Sequence, residues 1–147
     1  MADLPAAFGH TYEDANGSQA ESWASQKSAE WHNGMIFVFG SNLAGRHCKG
    51  AALHASRYFG AVYGKGKGFQ GQSYALPTYD PGFLILPLDD IRRHVVEFLG
   101  FAHSRPDLEF WITPIGCGLP GYRPEQIAPM FTQAPGNCRL PPEFLLE

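Results

Sequence analysis

The sequence predicts a single α/β domain, and three observations support that prediction. The chain has 147 residues, a length typical of one domain with a real hydrophobic core. Apolar residues make up 44% of the chain and aromatic residues 14%, a composition typical of a globular chain rather than a disordered one. From residue 36 onward, short apolar segments alternate with segments that favour helix. Such alternation is typical of a sheet covered by helices.

The first strand is predicted at residues 36–39, four apolar residues bounded by Gly34 and Gly40. A small, basic loop follows at 40–50, and residues 51–58 favour a helix. The N–H groups at a helix N-terminus have no internal partner and carry the positive end of the helix dipole, so this arrangement suits an anion. A tight strand-to-helix connection that binds nothing explains the pattern equally well.

A second short strand near a sheet edge is predicted at residues 61–63, and a glycine-rich segment follows at 64–71. This segment contains a formal G-x-G-x-x-G, but residues 72–77 have the composition of a strand, whereas a dinucleotide fingerprint must open a helix. We therefore reject a Rossmann site. We expect a mobile loop in which Lys65 and Lys67 face phosphate or water.

The clearest helix is predicted to begin near Pro87 and to end at Arg105. Acidic residues occupy its first turn, as the helix dipole prefers. Apolar residues recur at helical spacing and form one stripe: Leu88, Ile91, Val95, Phe98, Leu99 and Ala102.

A second informative loop, residues 113–122, repeats the arrangement of the first. It follows a strand predicted at 108–112, precedes a helix predicted at 124–131, and contains three glycines. Ligand loops of open α/β sheets converge on one crevice at the strand ends, so the two loops are candidates for a shared site. The tail at 137–140 favours a last short edge strand.

Charge is unevenly distributed, although the net charge is only −3. No Asp or Glu occurs between Trp31 and Tyr79, a segment that holds five of the eleven basic residues: Arg46, Lys49, Arg57, Lys65 and Lys67. A positive field of this kind favours an anionic partner. The cluster of basic residues is equally consistent with a solvated surface whose charge is balanced by acidic residues from elsewhere in the fold. No RNA- or DNA-binding motif is present.

The start of the sequence has no basic n-region and no apolar h-region, so we expect no secretory signal, and apolar runs such as residues 83–86 are far shorter than a membrane span. The three cysteines, Cys48, Cys117 and Cys138, are odd in number and widely spaced, which favours reduced thiols over disulfides or a zinc site. We therefore expect a cytoplasmic protein without membrane contact, bound metal or cofactor.

Two segments are expected in the chain: a polar leader at residues 1–33 and the α/β domain at 34–147. The leader contains Trp23 and Trp31, and tryptophans seldom stay fully exposed, so we expect it to pack partly on the core. A short helix is predicted at 20–27.

Three segments together resemble the signature of the macro domain. Residues 38–42 with 49–52 resemble its strand ending in Asn, its glycine loop and its helix opened by small residues. The strand at 72–77 is similar to its Gly-Tyr-x-Leu-Pro strand, and 115–122 resembles its second ligand loop. Order and spacing agree over residues 36–131, and the whole pattern is similar to short macro-like proteins of bacteria and their phages. The resemblance implies a single mixed β-sheet flanked by helices.

The resemblance also implies a reader or sequestering protein that binds ADP-ribose or a related NAD-derived nucleotide. Asn42 would face the distal ribose, and the loop at 45–50 would wrap that ribose and the adjoining phosphate. Residues 116–119 would present N–H groups to the pyrophosphate. Tyr122 would lie against the distal ribose or a base. A nucleic acid is expected only as an ADP-ribosylated substrate. The implied ligand-binding residues are Gly40, Ser41, Asn42, Gly45, Arg46, His47, Lys49, Gly50, Ala51, Ile115, Gly116, Cys117, Gly118, Leu119, Gly121 and Tyr122.

The chain departs from the family pattern at two places. Many macro domains carry an upstream Gly-Asp-Ile segment whose Asp receives the adenine amine, and nothing before Ile36 matches it. Certain macro-type hydrolases carry Gly-Cys-Gly-Leu-Asp with a catalytic Asp, where this chain has Pro120.

The alternative function is an ADP-ribosyl hydrolase that removes ADP-ribose from a macromolecule or a phosphate ester. His47 is the candidate general base because histidine titrates near neutral pH, and Lys49 is the second catalytic candidate. A polar loop residue or a ligand contact without proton transfer also explains His47. Cys117 has either a lowered pKa in a loop rich in N–H groups or the role of a small apolar filler. A third possibility is an oligomerising structural protein whose loops bind no ligand. The sequence does not predict the oligomeric state.

Overall fold

The computed structural model describes residues 34–118 and 120–145, which form an α/β domain. Its strands are β1 (Met35–Asn42), β2 (Gly68–Gln70), β3 (Ser73–Tyr79), β4 (Glu109–Ile112) and β5 (Cys138–Arg139). Its α-helices are α1 (Gly50–Tyr58), α2 (Leu88–Ser104) and α3 (Pro124–Ile127), and 3-10 helices cover Ala128–Phe131 and Pro142–Phe144. The predicted class, a mixed sheet flanked by helices, is confirmed, and it is compatible with a macro-like fold.

The sheet has the strand order β2-β3-β1-β4-β5, so the first strand of the described chain lies at its centre. Strand β1 pairs in parallel with β3 on one side and with β4 on the other, and β5 is parallel to β4. Only β2 is antiparallel to its neighbour β3 among these strands. The carboxyl ends of four strands therefore meet at one edge of the sheet, where ligands bind in open α/β proteins.

Both faces of β1 are buried, which explains its continuous apolar run. Alternate side chains of a strand point to opposite faces. Phe37 and Phe39 pack in one cluster with Ala55 of α1, whereas Ile36 and Val38 pack on the side of α2. The two helices therefore hold the sheet between them, and α1 can approach β1 closely because it presents alanines.

Helix α2 confirms the predicted amphipathic stripe. Its buried residues are Ile91, Val95, Phe98, Leu99 and Ala102, and its first turn carries Asp89 and Asp90. Ring contacts join the stripe to the sheet, because the ring centroid of Phe98 lies 4.9 Å from that of Tyr74 on β3.

Two predicted elements differ from the structure. Residues 61–63 form a loop instead of a strand, since the N–H of Ala61 donates to the carbonyl of Ala55 and the N–H of Val62 donates to the Gln70 side chain. The helix predicted at 124–131 is α-helical for one turn and then continues as a 3-10 helix. Pro129 lacks the N–H that an α-helical bond to residue 125 requires.

The glycine-rich segment at 64–71, where we expected a mobile loop, is packed against the end of β1 at Gly66. Gly66 is buried, and its carbonyl accepts a hydrogen bond of 2.5 Å from the hydroxyl of Ser41. A Cβ atom on Gly66 would lie 2.3 Å from the carbonyl oxygen of Asn42. The segment also contains β2, which sequence reasoning assigned to the loop.

The predicted leader at 1–33, with its helix at 20–27 and the packing of Trp23 and Trp31, lies outside the described residues. Within the described ranges, no helix combines the length and the apolar character needed to cross a membrane.

Candidate functional site

A cavity of about 500 Å³ opens at the carboxyl edge of the sheet, a volume typical of small-molecule sites. It lies between the start of α1 and the loop that follows β4, with the ends of β1 and β3 beside them. The residues that line it are Gly40, Lys49, Gly50, Ala51, Ala52, Thr78, Tyr79, Thr113, Pro114, Ile115, Gly116, Cys117, Gly118, Pro120, Pro124 and Glu143.

The N-terminus of α1 forms one wall of the cavity. Gly50 has a φ of 64°, in the left-handed region that glycine tolerates, and the chain turns there into the helix. The N–H of Leu53, which donates to the carbonyl of Lys49 at 3.3 Å, is the first in α1 with an acceptor four residues back. The N–H groups of Gly50, Ala51 and Ala52 have no such acceptor, and they carry the positive end of the helix dipole.

Lys49 is the N-cap of α1 and lines the same wall. Its side chain forms no capping hydrogen bond, and no acidic residue occupies the first turn of the helix. The positive charge of Lys49 therefore belongs to the same end of α1 as the positive end of the helix dipole, and the combination favours an anion.

The loop after β4 forms the opposite wall. It is held by short backbone bonds, including those from the N–H of Cys117 to the carbonyl of Pro114 (3.2 Å) and from the N–H of Tyr122 to the carbonyl of Gly116 (3.0 Å). The N–H groups of Gly116 and Gly118 donate to no group in the described part of the chain. Two backbone donors thus belong to residues on the wall that faces α1.

Cys117 lines the cavity as a neutral thiol. Burial raises the pKa of this thiol to about 12, and the nearby carboxylates of Glu143 and Glu125 act in the same direction. Its Sγ lies 3.6 Å from the carbonyl oxygen of Ile115. The lowered pKa considered from the sequence is wrong, because desolvation and acids outweigh the N–H groups of the loop. A neutral, partly buried thiol fits the other interpretation, in which Cys117 is a small apolar residue that fills space in the loop.

Glu143 is the cavity residue that sequence reasoning missed most clearly. It belongs to the short 3-10 helix Pro142–Phe144 in the tail and reaches the cavity beside the β4 loop. Nothing in the local sequence distinguishes it from a surface acid. Thr78 and Tyr79 were also missed, although they end a strand parallel to β1 and their position at that edge was a usable signal.

Asn42 and Arg46 of the first loop do not line the cavity. The Asn42 side chain is 3% exposed and is bonded to the backbone of Arg46 within its own loop. Ser41 and Gly45 are buried at the contact with the segment 64–67. Of the implied residues, the structure brings Gly40, Lys49, Gly50, Ala51, Ile115, Gly116, Cys117 and Gly118 together.

His47 is 3% exposed and likewise lies off the cavity wall. Its Nε2 lies 3.1 Å from the carbonyl oxygen of Lys65, so Nε2 is the atom that carries the proton in this contact. The ring packs edge-on against Phe39, with centroids 5.2 Å apart. These contacts join the loop at 40–50 to the segment 64–67.

Gly121 and Tyr122 also lie off the wall, and the hydroxyl of Tyr122 donates to the carbonyl of Leu86 at 2.7 Å. Leu119 lies outside the described residues. The roles of these residues toward a ligand stay predictions.

Four of the five basic residues in the acid-free segment between Trp31 and Tyr79 do not line the cavity. The Lys65 ammonium donates to the carbonyl of Phe69 at 3.0 Å, and the Lys67 ammonium lies 3.3 Å from the Glu97 carboxylate. Of the five, Lys49 is the one that lines the cavity. Through residues 34–118 and 120–145, no three His, Cys, Asp or Glu side chains form a group suited to a metal ion.

Comparison of the chain with models of protein families, with curated proteins and with solved structures finds no match.

Proposed function

We propose that the chain binds ADP-ribose or a related NAD-derived nucleotide in the cavity at the carboxyl edge of the sheet. One observation carries the proposal. The strand-to-helix connections at 40–50 and 113–122 meet at one cavity, and residues from both supply backbone N–H groups without acceptors in the described chain. A diphosphate is an anion with many acceptor oxygens, and it is the group that such donors recognise.

The charges on the wall support a position for the diphosphate. Lys49 and the first turn of α1 attract it, whereas the carboxylate of Glu143 repels it. We therefore place the diphosphate against residues 49–52 and leave the Glu143 end of the cavity to hydroxyl or amine groups, which donate hydrogen bonds to a carboxylate. The identity of the nucleotide rests on the resemblance of three sequence segments to the macro domain.

Isothermal titration calorimetry with ADP-ribose, NAD and adenosine tests the proposal. We expect heat with ADP-ribose and much weaker binding of adenosine, which lacks the diphosphate. Absence of both heat and a thermal shift across NAD-derived nucleotides contradicts the proposal. Mass spectrometry of nucleotides that copurify with the chain is an independent check.

A second candidate function, removal of ADP-ribose from a macromolecule or a phosphate ester, is favoured by Glu143. A hydrolase needs a general acid or base within reach of the labile bond, and Glu143 and Lys49 both line the cavity. Incubation of ADP-ribosylated protein with the wild type, Glu143→Gln and His47→Ala tests it. Turnover that is lost in Glu143→Gln supports hydrolysis, and absence of turnover in the wild type supports a binding protein.

A further inference from the structure

An aromatic pair stands at the β3 end of the cavity. Tyr79 lines the cavity, and its ring centroid lies 6.2 Å from that of Phe83. Phe83 is 39% exposed, and the next two residues, Leu84 and Ile85, are exposed to 69% and 45%. Phe83 thus presents an exposed ring against a residue of the cavity wall, and exposed apolar surface next to a cavity marks binding sites.

The turn that carries Phe83 is fixed by hydrogen bonds from its own backbone. Asp80 Oδ1 accepts from the N–H groups of Gly82 (2.8 Å) and Leu84 (2.9 Å), and the N–H of Phe83 donates to the carbonyl of Asp80 at 3.0 Å. Phe83 has a φ of 66°, a left-handed conformation that is unfavourable for a bulky residue. Such conformations persist where the surroundings impose them, and they cluster at ligand clamps. The turn therefore holds the Phe83 ring beside Tyr79.

The strand order gives the cavity two chemically different ends. Tyr79 ends β3 on one side of β1, whereas Glu143 lies on the side of β4 and β5. The N-terminus of α1 is the cationic part of the wall. A nucleotide held there by its diphosphate has a flat aromatic base on one side and a sugar on the other. Bases stack on aromatic rings, whereas sugar hydroxyls donate to carboxylates.

We propose that Tyr79 and Phe83 form the base-stacking end of the cavity and receive the nucleobase of the ligand. This inference rests on the proposed nucleotide binding. It assigns the orientation of the ligand and names two specificity-determining residues, neither of which belongs to a glycine-rich loop.

Calorimetry on four proteins tests the orientation: the wild type, Phe83→Asn, Phe83→Tyr and Leu84→Asn. Asparagine tolerates a left-handed backbone, so Phe83→Asn removes the ring and keeps the turn. Leu84→Asn is the matched control, because it makes a similar change one residue further on, at a side chain with no ring contact to Tyr79. ADP-ribose is the probe with a base, and inorganic pyrophosphate is the probe without one.

We expect Phe83→Asn to weaken ADP-ribose binding by about 5- to 150-fold, the range of one stacked base. Pyrophosphate binding should stay within twofold of the wild type, and Phe83→Tyr and Leu84→Asn should bind ADP-ribose normally. Unchanged ADP-ribose binding by Phe83→Asn overturns the inference and leaves the proposed function standing. If Phe83→Asn weakens the binding of pyrophosphate as much as that of ADP-ribose, the inference is also overturned, since the ring then supports the diphosphate site instead of the base site. A wild type that binds neither probe overturns both proposals.

Discussion

The side chain of Asn42 is bonded twice to the backbone of Arg46: Nδ2 donates to the Arg46 carbonyl and Oδ1 accepts from the Arg46 N–H, each at 3.0 Å. This pair closes the loop at the end of β1, just before the chain reaches the cavity at Lys49. The resemblance assigns Asn42 to the ligand, whereas both polar groups of its side chain already have partners within the protein.

We therefore expect Asn42→Ala to act on stability first. The substitution leaves the partly buried N–H and carbonyl of Arg46 without their partner, which costs up to about 1–3 kcal/mol of the free energy of unfolding. Urea denaturation of the wild type, Asn42→Ala and Asn42→Asp measures the cost, with the Asp variant retaining the acceptor for the Arg46 N–H. Wild-type stability of Asn42→Ala together with lost ADP-ribose binding would show that Asn42 contacts the ligand instead.

A negative charge at Ala51 should have opposite effects on folding and binding. Ala51 lies in the first turn of α1 and lines the cavity. The helix dipole stabilises a negatively charged side chain in the first turn by about 0.3–1 kcal/mol, so Ala51→Asp should fold at least as stably as the wild type. The same carboxylate repels a diphosphate, and we expect ADP-ribose to bind at least about tenfold more weakly, a difference of about 1.4 kcal/mol.

Ala51→Asn is the matched control for that change, since it has nearly the same shape without the charge. Thermal denaturation and calorimetry on both variants separate the two effects. Equal affinities of the Asp and Asn variants would contradict an anion at the start of α1.

His54 should make folding sensitive to pH below neutrality. It is 2% exposed and packs against Phe37 and Tyr58, with ring centroids 5.4 Å and 5.1 Å away. Burial lowers the pKa of His54 from 6.5 to about 4, so the folded protein keeps it neutral while the unfolded chain takes up a proton below pH 6.5. Stability should therefore fall as the pH drops from 6.5 to 4, by roughly 3 kcal/mol in total.

Urea denaturation across this pH range checks the prediction for His54. His54→Gln should remove up to about 1.4 kcal/mol per pH unit from the slope of stability against pH. His103→Gln, at an exposed position of α2, is the matched control. A slope that is equal in the wild type and in His54→Gln would assign the pH dependence to other groups.

Alanine at two glycines should change stability with opposite signs. A Cβ on Gly66 would meet the carbonyl oxygens of Asn42 at 2.3 Å and of Leu43 at 2.5 Å, so the segment 64–67 cannot stay docked. We expect Gly66→Ala to cost about 1–3 kcal/mol, the usual range for overpacking. At Gly100 of α2 a Cβ meets nothing within 4 Å, and Gly100→Ala should stabilise the protein by about 0.5–1 kcal/mol.

Thermal denaturation of both alanine variants measures these shifts. A neutral Gly66→Ala would mean that the end of β1 tolerates separation from the segment 64–67.

The elements with a strong period were predictable from the sequence, and those set by distant partners were not. The stripe of α2 and the apolar core of β1 are local patterns, and both are confirmed. Residues 61–63 have the composition of a strand, but the carbonyl of Ala55 and the side chain of Gln70 take their N–H groups. Strand β2 escaped prediction because its pairing with β3 is a tertiary contact inside a glycine-rich segment.

In the candidate site, too, residues in local sequence patterns were predictable and residues placed by distant contacts were not. Two glycine-rich connections after parallel strands pointed to Lys49, Gly50 and Gly116, which the fold does bring to one cavity. Glu143 could not be predicted, because its place in the cavity depends on how the tail returns after β5. His47 looked like a catalytic base in the sequence, yet the docking of the segment 64–67 buries it against Lys65.

The central place of β1 has a consequence for synthesis of the chain. The first wall of the cavity is encoded by residues 49–52, but the facing wall is encoded by residues 113–118 and is held in place only when β4 pairs with β1. A nascent chain on the ribosome therefore carries only half of the binding site until β4 pairs with β1. Any nucleotide that binds between the walls stabilises only forms of the chain in which β1 and β4 are paired, so its occupancy reports that pairing and none of the earlier folding steps.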